Sequence, residues 1–154
     1  MNRSLAIAAG VVALLSLALD CMAEGMPERR ITPDEMSRLE HGGAGPGTSG
    51  MEGISTTILS GDPTTAGPYV IRLFVPANMR IEAHAHRDDR SAVVVSGQWS
   101  IGYGDRYERS ALKVLPPGSF YTEPAGVPHF ASSGAEAVVV YISGYGPTDT
   151  RFKQ

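Results

Sequence analysis

"MRIEAHAHRDDRSAVVVSGQWSIGYG", residues 79–104, sets β-branched and aromatic residues in short runs interrupted by Asp88-Asp89 and by Gly97. Runs of this length and composition, bounded by turn residues, read as strands. Working outward, "ISTTILSG" and "PYVIRLFVP" precede the stretch, and "LKVLPPGSFYTEPAG", "HFASS" and "EAVVVYISGYG" follow it, separated by Gly, Pro, Asp and Asn. Six or more strands with no helical period between them predict an all-β sandwich or barrel over residues 54–146.

The N-terminal third is of another kind. Met1 to Arg3 give a short basic start, residues 4–19 are almost unbroken apolar, and Cys21-Met22-Ala23 offers small residues where a signal peptidase reads. The pattern predicts a signal peptide over residues 1–23, and hence a periplasmic or secreted protein whose only contact with a membrane is through that segment. A single membrane anchor and a lipid on Cys21 are the rival readings. Cys21 is the only cysteine, so after cleavage no disulfide is available and stability must come from packing. In residues 24–53, Thr32-Pro33-Asp34-Glu35 predicts a short helix with a capping box, ended by Gly42-Gly43 ahead of a glycine-rich linker. His41 at that edge is expected to be a solvated surface residue. Residues 147–154 read as a tail across the barrel surface. The formal charge of −3 is mild and no basic stripe appears, which argues against a nucleic-acid partner.

Residues two apart on a strand project to one face, so His84 and His86 form a two-toothed clamp able to share one ion. A second cluster, "GSFYTEPAGVPHF", places Gly118, Pro124 and Gly126 ahead of His129. The first stretch resembles the first cupin motif, G-x5-H-x-H-x3,4-E-x6-G, through His84, His86 and Gly97. The second resembles G-x5-P-x-G-x2-H-x3-N through Gly118, Pro124, Gly126 and His129.

The chain thus resembles the small single-domain bacterial cupins of the RmlC-like kind. That resemblance implies a jelly-roll barrel of two antiparallel sheets, homodimers through the outer strands in many members, and a metal held by His84, His86 and His129. Three positions depart from the motifs. Asn78 replaces the first glycine, and Asn also tolerates positive φ. Ser133 replaces the closing asparagine. Arg90 falls where the family's ligand glutamate sits, and arginine can neither lose its charge nor ligate a cation. Two readings of Arg90 stand side by side: a solvated "RDDR" turn in which it pairs with Asp88 or Asp89, and a hook for an acidic substrate. Replacement oxygens for the metal are Glu82, which shares strand parity with the histidines, Asp88, or water; an exposed strand edge is the default position for Glu82.

Three histidines with open positions suit a divalent transition metal: zinc, iron, manganese, nickel or copper. Gln98, directly after Gly97, is expected to bring an amide to the cavity wall, whereas Trp99 and Tyr103, Tyr107, Tyr121 and Tyr141 read as strand or core residues. Glu123 could serve as a general acid or base at the barrel mouth, but a surface turn is its expected home. No Ser-His-Asp spacing, phosphate loop or Cys-x-x-Cys appears. The function expected is that of a metal-binding barrel acting on a small molecule, of dioxygenase or isomerase type. The alternative is a non-catalytic module that binds a sugar or organic acid with no metal or a vestigial site.

Overall fold

The computed structural model describes residues 26–39, 41–43 and 50–153; the signal-peptide reading and most of the glycine-rich linker lie outside them. Ten strands follow one four-residue helix, α1 (Pro33–Met36). Thr32 caps α1 as expected: its side chain accepts from the Glu35 amide while the Glu35 carboxylate accepts from the Thr32 amide. Tyr141 Oη donates to Met36 Sδ, which ties the helix to the barrel.

The strands are β1 (Ser55–Ser60), β2 (Gly67–Val75), β3 (Arg80–Ala85), β4 (Arg90–Ser96), β5 (Trp99–Tyr103), β6 (Lys113–Leu115), β7 (Phe120–Glu123), β8 (His129–Ser133), β9 (Val138–Gly146) and β10 (Arg151–Phe152). They form two antiparallel five-stranded sheets, ordered β1-β2-β9-β4-β7 and β10-β3-β8-β5-β6. Two of the runs read as single units are each two strands that cross from one sheet to the other. "SAVVVSGQWSIGYG" turns at Gly97, whose φ is +73° and where a Cβ would collide with the Ala137 carbonyl oxygen. "LKVLPPGSFYTEPAG" turns at the Pro-Pro-Gly between β6 and β7.

Alternation delivers the core. Ile71, Leu73 and Val75 of β2, Val138, Val140 and Ile142 of β9, and Ala92 and Val94 of β4 face Ile81, Trp99, Ile101 and Ala131 of the other sheet, all buried. Each large aliphatic removed from water contributes about 1.5–3 kcal/mol, so a core of this extent stabilises the barrel without a disulfide. The motif substitutions keep the motif geometry. Asn78 takes φ of +57°, the conformation a glycine would supply. Ser133 Oγ accepts from the Met79 amide at 2.8 Å and donates to the Pro76 carbonyl at 2.6 Å, stitching the start of β3 to the end of β8.

One irregularity positions the site. Ile81 pairs with Ala131 and His84 with His129, so β3 advances three residues where β8 advances two. The bulge reverses the inward parity of β3. Ile81 and His84 therefore both point inward, and Glu82 does not share their face.

Candidate metal centre

The barrel end that holds His84 also gathers His86, just past β3, and His129, the first residue of β8. All three are buried, and one nitrogen from each lies within 4.8 Å of the other two. Each ring is oriented by its backbone. His84 Nδ1 lies 2.8 Å from the Glu82 carbonyl oxygen, His86 Nδ1 2.5 Å from that of Asp149, and His129 Nδ1 3.3 Å from that of Val127. A carbonyl oxygen only accepts, so Nδ1 carries the proton in every ring and Nε2 carries the lone pair. That is how proteins fix imidazoles for metal ligation.

Electrostatics keep the rings in that form. Burial, and then the neighbouring His129, push His84 down to about 4; burial, and then Arg90, push His86 down to about 3; burial lowers His129. At neutral pH all three are uncharged. His129 Nε2 is buried with no hydrogen-bond partner. A lone pair in that condition is costly unless a cation or a water meets it, so the residues present fit a divalent transition metal.

The opposite sheet contributes a pair that the sequence reading separated. Arg90, first in β4, and Glu123, last in β7, stand directly across from each other in register and are both buried. Arg90 Nε donates to Glu123 Oε2 at 2.7 Å, and Nη2 donates to the same oxygen. Arg90 Nη2 also donates to His86 Nε2 at 2.7 Å. Burial by itself would raise the Glu123 carboxyl, but the guanidinium, with His129 and His86 behind it, holds it at about 2. Glu123 oxygens lie 3.7 Å from both His86 Nε2 and His129 Nε2.

Several expectations change accordingly. Glu123 is not on a surface turn: Tyr121 and Glu123 alternate inward while Phe120 and Thr122 face out. Arg90 pairs with neither Asp88 nor Asp89. Asp88 is buried and accepts from Tyr69 Oη at 2.7 Å and Thr148 Oγ1 at 2.5 Å; Asp89 accepts from the Ala125 amide. The "RDDR" stretch is a solvated turn only at Arg87 and Asp89. Arg90 lines the centre with Nε and Nη2 bound to a buried carboxylate. Gln98 is not brought to the centre. It is exposed in the β4–β5 turn, where its carbonyl accepts from Gly134, beyond the far end of β8 from His129. Glu82 is exposed and paired with Arg80, and His41 is exposed.

A small cavity of about 20 Å³ opens beside the histidines, lined by His84, Arg90, Trp99, Tyr121, Glu123 and His129 among others. It has room for one water-sized species. Trp99 Nε1 and Tyr121 Oη are buried at this centre with no close hydrogen bond, Tyr121 standing near both Trp99 and Glu123. Burial, and then Glu123, push the Tyr121 phenol well up, so it keeps its proton. Sequence reading weighed Glu123 for acid–base work but placed it on a surface turn, and read Tyr121 only as a strand or core residue. The available signal was charge: an arginine in a ligand glutamate's place calls for a carboxylate nearby, and Glu123 is the only one in the second motif.

No family model matches the chain, and no curated protein does. Solved structures do. An RmlC-like cupin from Shewanella frigidimarina superposes with a TM-score of 0.55 at 18% identity, covering 78% of this chain and 92% of that one. A cupin-superfamily sugar phosphate isomerase from Silicibacter pomeroyi gives 0.54 at 18%, covering 77% and 76%. A structure of the DMSP lyases RdDddP and RnDddQII gives 0.55 at 19%, covering 66% of this chain but only 53% of that one, so this chain spans about half its length. The barrel has the cupin fold implied by its two motifs.

Proposed function

We propose that this small cupin-fold protein is exported through its first 23 residues, holds a divalent transition metal on His84, His86 and His129, and acts on a small molecule at that end of the barrel. The observation that carries the reading is the set of three Nδ1–H groups given to backbone carbonyls, with the buried His129 Nε2 left unpartnered. When bound, the cation would supply Lewis acidity toward a carbonyl or enolate oxygen. Leu73, Ile81 and Ile142 keep bulk water from the centre, and Tyr121 Oη holds a proton within it. With space for one water-sized species, the reacting oxygen of a substrate enters while the rest stays at the mouth. Of the two reaction classes expected, isomerase-type chemistry is supported by a structural neighbour named as a sugar phosphate isomerase.

The test is elemental analysis of residues 24–154 purified without chelator or metal-affinity tag, beside His84→Ala/His129→Ala. Near-stoichiometric metal that the double variant loses supports the reading. Deuterium uptake at carbon, followed by NMR on a panel of small sugars and oxo acids, then tests the reaction class. A second reading rests on the hydrogen bond from Arg90 Nη2 to His86 Nε2, which occupies a ligand lone pair. It describes a non-catalytic small-ligand module with a vestigial centre, and absence of metal from both proteins would select it.

A further inference from the structure

We infer that Glu123 replaces the carboxylate ligand lost at Arg90, the charge having crossed from β4 to the facing position of β7. The inference rests on the metal reading above and goes beyond it by naming a fourth protein ligand from the other strand. Arg90 and Glu123 are register partners, so exchanging the carboxylate between these two strands keeps it at the same end of the barrel.

Glu123 Oε1 lies 3.7 Å from His129 Nε2, and Oε2 lies 3.7 Å from His86 Nε2. Ligand bonds of about 2.0–2.2 Å in a tetrahedral site separate neighbouring donor atoms by about 3.4 Å, so each Glu123 oxygen stands near ligand spacing from one histidine. The donors that already lie within 4.8 Å of one another are the three histidines, so Glu123 joins them by a side-chain shift as the ion is loaded. The chemistry of the atoms agrees. An ionised carboxylate only accepts, and His129, its Nδ1–H committed to Val127, presents a lone pair at Nε2. Two acceptors converge with no proton between them, and His129 Nε2 has no other partner.

Arg90 then has two jobs that follow from its bonds. Its grip on Glu123 Oε2 through Nε aims the carboxylate, and its Nη2 covers the lone pair of His86. Loading the centre requires the bond to His86 to break. Arg90 is thus a positioning residue for Glu123 and a competitor for His86.

Cobalt(II) is the probe, read by its visible d–d spectrum and by titration against a chelator, on full-length protein in four forms: wild type, Arg90→Met, Arg90→Met/Glu123→Gln and His84→Ala. Either single substitution leaves one buried charge without its partner whereas the double substitution leaves none, so thermal unfolding of every form first confirms that folded proteins are being compared. Arg90→Met should bind cobalt more tightly than wild type, because the competing donor is gone. Adding Glu123→Gln to it should weaken binding by about tenfold or more and shift the d–d bands. Identical affinity and spectrum for Arg90→Met with and without Glu123→Gln would overturn the inference while leaving the three-histidine reading intact. Cobalt binding that His84→Ala does not weaken, or no saturable binding in wild type or Arg90→Met, would overturn that reading and the inference with it.

Discussion

Acidification should dismantle this barrel through its histidines before its carboxylates respond. In the metal-free protein His84 and His86 are held neutral, with values of about 4 and 3 against 6.5 for the free ring. A base whose folded value lies below its unfolded value contributes stability that is fully present above the unfolded value and is lost as pH falls toward the folded one. Between pH about 6.5 and 4.5 the unfolded chain takes up a proton on each ring while the folded chain resists. Two units at about 1.4 kcal/mol each, for two rings, amount to roughly 5 kcal/mol, the order of a small domain's whole stability. His129, lowered as well, acts in the same direction. Glu123, at about 2 against 4.5, adds its share only below pH about 4.5, so the two effects occupy separate windows. Urea unfolding at 25 °C, followed by the fluorescence of the single buried tryptophan, Trp99, measures the loss at each pH. The expected result is a fall of roughly 5 kcal/mol from pH about 7 to 4.5. A change below about 1 kcal/mol over that span would refute the claim that burial holds these rings neutral.

Glu123→Gln alone should cost about 3–5 kcal/mol, since it leaves a buried guanidinium without its counter-charge, and Arg90→Met added to it should recover most of the loss in thermal unfolding. Gly144→Ala should destabilise by about 1–3 kcal/mol, because a Cβ there would stand 2.5 Å from Tyr69 Oη and 2.6 Å from Asp88 Oδ2; Tyr69→Phe should relieve part of it, and additive losses would count against that contact. Ser133→Ala removes the hydroxyl that bonds both Met79 and Pro76, and a urea midpoint shift corresponding to about 1–3 kcal/mol is expected; an unshifted midpoint would mean the stitch is dispensable.

What the sequence made legible was whatever depends on spacing alone. The strand runs, the capping box at Thr32 and the positive φ at Asn78 and Gly97 are local, and the two motifs draw His84, His86 and His129 to one barrel end. What depends on register was hidden. Parity placed Glu82 with the histidines, but the bulge between Ile81 and His84 turns it outward, and no residue type in that strand announces a bulge. Glu123 looked like a loop residue because it precedes Pro124, yet it is the last inward position of β7, and only the pairing of β4 with β7 sets it against Arg90. Trp99 was correctly read as buried in the core, but its place beside Tyr121 could be seen only in the fold. The tail was read as surface; Thr148 is buried and Asp149 holds a histidine, contacts made across sixty residues or more that periodicity cannot reach.

That tail sets a clock for the centre. β10 is two residues long, lies at the edge of its sheet against Ala85 and His84, and begins two residues after Asp149, whose carbonyl fixes the His86 ring. Short edge strands open far more often than the core does. If His86 holds a cation, escape through such openings would be governed by how often β10 lifts and not by how strongly a chelator pulls. Stripping rates should then level off as chelator concentration rises, at a plateau equal to the opening rate of the Lys153 amide, which donates to the Ala83 carbonyl just past β10, measured by hydrogen exchange at a pH where exchange outpaces reclosing.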